Sequence, residues 1–81
     1  MQVWIVYWDG CVSDAIFSNA EKAYNYMVEG MERIISGYNA AGRISAKRDY
    51  EDMLEELTKE YNEDHDEFGC DECWAKAVDV L

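Results

Sequence analysis

Apolar positions along the chain change their spacing four times, and each change marks an element. Val3-Trp4-Ile5-Val6-Tyr7-Trp8 is an unbroken run of β-branched and aromatic residues closed by Asp9-Gly10, the composition of a strand buried on both faces and then a turn. After Cys11-Val12-Ser13-Asp14, the short apolar segment Ala15-Ile16-Phe17 stands where a hairpin partner returns. From there the period becomes helical: apolar residues at 20, 23, 24, 27, 28, 31, 34, 35 and 38 predict a helix over 18–36. Ser18 and Glu21 supply an S-x-x-E capping box, Gly30 is a weak point inside the helix, and Gly37 is its stop.

Beyond the loop at 39–42, Ser45 is the expected cap of a second helix whose apolar residues Ala46, Tyr50, Met53, Leu54, Leu57 and Tyr61 fall within an arc of roughly 100°. Residues 62–69 are too polar and too acidic to continue that stripe and read as an exposed loop. The last strand is expected over 73–80: Trp74, Val78 and Val80 share one parity, while Lys76 and Asp79 suggest a partly solvated edge. The order β-β-α-α-β predicts one α+β domain over 1–81. Its three-stranded antiparallel sheet has the order 2-1-3, with both helices on one face. The other face is then bare and shows either Trp4, Val6 and Trp8 or Val3, Ile5 and Tyr7, a patch that a dimer or a partner would cover.

Composition narrows the class. With 49% hydrophobic and 14% aromatic residues, the chain is not a disordered acidic tail. No apolar run approaches the ~20 residues that span a bilayer, and residues 1–8 lack the flank and cleavage site of a secretory signal. A cytoplasmic protein is therefore expected. Three cysteines, an odd number, fit a reducing compartment.

Charge changes the picture most. Twelve of the eighteen acidic residues lie within 49–72, where Lys59 is the only base, so this block carries the whole net charge of −11. The remainder balances six acids against six bases. On the second helix Glu51 with Glu55, Asp52 with Glu56, and Glu56 with Glu60 are like-charged i, i+4 neighbours, each costing ~0.2–0.5 kcal/mol in an isolated helix. A face shaped only for solubility would alternate signs. Glu51, Asp52, Glu55, Glu56, Glu60, Glu63 and Asp64 form a ridge of the sign of a nucleic-acid backbone. Such a ridge attracts basic proteins and repels nucleic acid and anionic membrane.

Other chemistry is sparse. Cys70-x-x-Cys73 has the spacing that grips a tetrahedral ion, and an antiparallel last strand would bring Cys11 and His65 towards it as a Cys₃His zinc site. The competing reading is a set of free thiols. Asp64-x-Asp66-x-Phe68-Gly69 opens like a calcium loop, but Phe68 and Ala75 occupy positions that must be ligands. One histidine, no glycine-rich phosphate loop and no G-x-S-x-G elbow leave little basis for catalysis, and no catalytic residue is assigned.

The segment Ile16-Phe17-Ser18-Asn19-Ala20-Glu21-Lys22-Ala23-Tyr24, between an N-terminal hairpin and a closing aromatic strand, resembles small proteins encoded by bacteriophages and other mobile elements. That resemblance implies a setting and no individual residue. Small acidic phage proteins of this kind often inhibit host nucleic-acid-binding machinery, as anti-CRISPR proteins and DNA mimics do. The expected function is thus a non-enzymatic inhibitor whose acidic helix occupies a basic nucleic-acid-binding surface of a host defence or DNA-processing protein, with Trp4 and Trp8 as apolar anchors. The alternative is a small dimeric regulatory module that uses the aromatic sheet face, its acidic helix only solubilising. Neither requires a cofactor.

Overall fold

The computed structural model describes residues 1–80 apart from Gly10, and of residues 11–14 the backbone alone. The fold is α+β, with two helices on one face of an antiparallel sheet. Its strands are β1 (Gln2–Trp8), β2 (Cys11–Phe17), β3 (Glu67–Gly69) and β4 (Cys73–Asp79), and its helices are α1 (Ala20–Ala40) and α2 (Ile44–Glu63). The sheet has four strands in the order β2-β1-β4-β3, where three in the order 2-1-3 were expected. The predicted central place of the first strand is correct, since β1 pairs antiparallel with both β2 and β4. The difference lies in residues 67–69, expected as loop, which form a short strand on β4. β4 is consequently an interior strand and not the edge that Lys76 and Asp79 suggested.

Each helix ends for a local reason. Asn19, not Ser18, caps α1: its Oδ1 accepts the Lys22 backbone N–H at 2.8 Å. The capping register is one residue later than the S-x-x-E pattern implied, so Glu21 falls at the second helical position. The helix also runs through Gly37 and stops at Gly42, whose φ of +72° is the left-handed conformation that favours glycine. There Arg43 N–H donates to Tyr38 C=O at 2.9 Å and Gly42 N–H to Asn39 C=O at 3.2 Å, the paired bonds of a Schellman ending. Arg43 then occupies the N-cap of α2 with no side-chain bond, and Ser45 lies inside the helix.

Strand parity decides which aromatic residues are covered. Trp4, Val6 and Trp8 share the parity that faces the helices, Val6 being fully buried and both tryptophans packing against the core. Across the sheet, Ala15, Phe17, Phe68, Cys73 and Ala75 belong to this covered layer, closed by Ala23, Met27 and Met31 of α1 and Leu57 of α2. Gly30 is also a site of close approach. A Cβ there would stand 2.6 Å from Trp8 Cζ2, so the missing side chain is the space the indole occupies.

α2 joins the core through an aromatic cluster. Tyr24 and Tyr61 stack at 4.1 Å, and the buried Phe68 ring meets Tyr61 edge-on at 5.0 Å. Thr58 Oγ1 donates to Leu54 C=O at 3.0 Å, which leaves Tyr24 OH to donate to Thr58 Oγ1 at 2.9 Å and pins the two helices. At Gly69 a Cβ would lie 2.4 Å from Trp74 Cβ and 2.5 Å from Cys73 C=O. Gly69→Ala should therefore force β3 and β4 apart and cost about 1–3 kcal/mol, measured as a lower urea midpoint. An unchanged midpoint would show that the hairpin yields freely.

Candidate functional site

The acidic block is built on two supports that meet. α2 holds Tyr50, Met53, Leu54, Leu57 and Tyr61 inward, so Glu51, Asp52, Glu55, Glu56 and Glu63 stand exposed and Glu60 half-exposed. From Glu51 to Glu63 they cover ~18 Å of helix at 1.5 Å per residue. Asp64 terminates the helix, and its Oδ1 accepts the Asp66 backbone N–H at 2.9 Å to turn the chain. Trp4 Nε1 donates to His65 C=O at 2.7 Å and fixes the same turn from below. β3 then returns beside α2, with Phe68 docked under the helix.

This return closes a groove of about 550 Å³ between α2 and the β3–β4 hairpin. Six carboxylates surround it: Glu56, Glu60, Glu63 and Asp64 from the helix and its end, Glu67 and Asp71 from the hairpin. Phe68, Cys70 and Trp74 supply the apolar lining. Trp74 is 43% exposed, borders the groove, and stacks on Tyr7 of the open sheet face at 5.1 Å. Glu51 and Glu55 lie on the other flank of α2, in a second hollow of about 570 Å³ shared with Glu32 and Lys47 of the helical hairpin. Glu72, also in the acidic block, is half-buried. Burial, and next the neighbouring Glu72 charge, push the Tyr50 phenol up to about 12.

Trp4 and Trp8 do not lie on the bare sheet face. They belong to the covered layer, and the aromatic residues of the open face are Tyr7 and Trp74. No pattern in β1 could have told the two faces apart, because both parities are apolar. Trp74 was legible only as a strand residue; its place at the groove depends on Gly69 next to it having no side chain.

The zinc expectation changes as well. Among the described residues, no three of His, Cys, Asp and Glu converge to hold a metal ion. His65 stacks on Tyr61 at 4.5 Å, and the side chain of Cys11 lies outside the described residues. Cys70 and Cys73 face one another with Sγ atoms 3.9 Å apart. The hydrogen bond from Cys73 holds the Cys70 thiol down to about 6, against burial and the Glu56 charge, and the same bond together with burial pushes Cys73 up. Alkylation of Cys70 by iodoacetamide should accordingly follow a titration centred near pH 6. A midpoint near the free-thiol value of ~8.5 would show that the Cys73 bond does not form in solution.

Comparison with known proteins adds no relative. No family model, no curated protein and no solved structure matches the chain. Among the described residues, no helix is long and apolar enough to cross a membrane.

Proposed function

We propose that the protein is a non-enzymatic inhibitor that occupies a basic nucleic-acid-binding surface of a host defence or DNA-processing protein, a CRISPR effector being one such target. The observation that carries this reading is the groove into which helix and hairpin carboxylates converge beside an exposed tryptophan. An arginine side chain entering it gains carboxylate partners and the Trp74 face together, and guanidinium over indole contributes ~0.5–2 kcal/mol. Anchoring falls to Trp74 and Tyr7, in place of Trp4 and Trp8. The ridge on α2 supplies steering and register, since charges at the rim of an interface govern association rate more than affinity.

Capture from bacterial lysate at low and at high salt tests this. A nucleic-acid-binding enzyme should be retained at ~0.05 M salt, released at ~0.5 M, and displaced by added DNA or RNA. A partner held without salt dependence would overturn the reading.

A second reading has its own observation. The open sheet face carries Val3, Ile5, Tyr7, Ile16, Trp74 and Val78, with Ile16 59% exposed. Its described charges, Glu67 and Lys76, are register partners of opposite sign. Two copies could stack these faces with their acidic helices pointing outward. Sedimentation should then show a dimer that Ile16→Asp dissociates, and a monomer at every concentration removes this reading.

A further inference from the structure

The inhibitor reading uses the carboxylates and Trp74 and leaves the Cys70–Cys73 pair unexplained. Their sulfurs are in contact at 3.9 Å across a two-residue turn, and Cys70 N–H donates to Cys73 C=O at 2.7 Å. Facing residues in such a hydrogen-bonded pair have Cα atoms ~5.5 Å apart, within the span a disulfide bridges. Access is unequal. Cys73 is fully buried, whereas Cys70 is half-buried and lines the acidic groove.

We propose that Cys70 and Cys73 form a thiol–disulfide exchange site whose oxidant is the disulfide of a cationic thiol. Cys70 attacks, because of the two it is the one that lines the groove. Its thiolate bonds to one sulfur of the oxidant and expels the other half as a thiolate, which takes a proton from solvent. Cys73 then attacks Cys70 Sγ, closing the protein disulfide and expelling the second thiolate, to which the Cys73 proton passes. The protein loses two electrons and two protons, and the oxidant becomes two thiols. The hydrogen bond from Cys73 that favours the Cys70 thiolate assists the first step.

The choice of oxidant follows from the groove. A disulfide must pass Glu56, Glu60, Glu67 and Asp71 to reach Cys70. A site lined by one sign of charge concentrates the opposite sign and excludes its own, by factors of ~10 or more in rate. Anionic disulfides are disfavoured and cationic ones are drawn in.

Reduced full-length protein, treated at neutral pH with cystamine or with glutathione disulfide at equal concentration, tests the proposal by intact mass and peptide mapping. Cystamine should remove two hydrogens from the protein with no lasting adduct, and the new bond should map to Cys70 and Cys73. Its rate should exceed that of glutathione disulfide by roughly tenfold or more at low salt, with the ratio collapsing near ~1 M. Cys73→Ser should stop the reaction at a stable cysteamine adduct on Cys70, and the wild-type mapping stands even where that variant fails to fold. Oxidation that maps to Cys11, an adduct that the wild type does not resolve, or equal rates for the two disulfides at low salt would each overturn it.

Discussion

Phe68→Ala should destabilise the domain by about 3–5 kcal/mol, the cost of removing a fully enclosed aromatic ring. For a small domain with a total stability of ~5–15 kcal/mol, this is a large share and brings the variant close to unfolding at 37 °C. The ring is 2% exposed in β3, a strand of three residues that has few other apolar contacts to hold it. It meets Tyr61 of α2 at 5.0 Å and Tyr24 of α1 at 6.4 Å, so both helices lose a contact along with the strand. The groove loses its floor at the same time, because Phe68 separates Glu67 from the Cys70 turn. Urea unfolding measures the loss in stability. A change below ~1 kcal/mol would mean that β3 is held by its ladder to β4 alone and that the ring is not a keystone of the α2 contact.

Phe68 also shows where the sequence stops being legible. An apolar residue preceded by Glu63, Asp64, His65, Asp66 and Glu67 looks like a chance interruption of a solvated loop. Three residues are too few to display period-two alternation, and Asp71-Glu72 offers no glycine or asparagine to announce a hairpin. Among the described residues no non-glycine residue has a positive φ, so the turn does not use the mirror-image geometry that such residues signal. By contrast, β1 and the two helices were legible because long apolar periods admit one reading each. The strand pairing β2-β1-β4 was legible too, since a central strand with a hairpin on one side leaves only the other side free. Helix ends were less so, because several caps compete: Asn19 is adjacent to Ser18, and Gly42 lies five residues beyond Gly37. By its sequence the acidic block is a helical ridge followed by an exposed loop, and folding joins the two. That joining depends on the β3–β4 ladder and the Phe68 contact, which are long-range and have no local signature.

Reversing Glu55, Glu56 and Glu60 together to lysine should weaken binding of a basic partner on the order of a hundredfold at ~0.15 M salt, chiefly through the association rate. Three reversals of two units each bring the net charge from −11 to −5. Two of the three face the groove and the third faces the second hollow, so both flanks of the ridge change sign in part. The fold should not suffer. Glu51 with position 55 and Asp52 with position 56 change from repulsive to attractive i, i+4 pairs, each a gain of ~0.2–0.5 kcal/mol, and position 60 gains an attraction to Glu63, while Lys59 loses its attractions to Glu55 and Glu56 and positions 56 and 60 stay like-charged. A cation at position 60 also lies in the last turn of α2, where the helix dipole favours it. Binding and stability should therefore move in opposite directions, which no general damage to the domain can produce. Surface plasmon resonance against the captured partner, paired with thermal unfolding, reads both. Retained affinity in a folded variant would remove the ridge from the interface and leave the open sheet face as the binding surface.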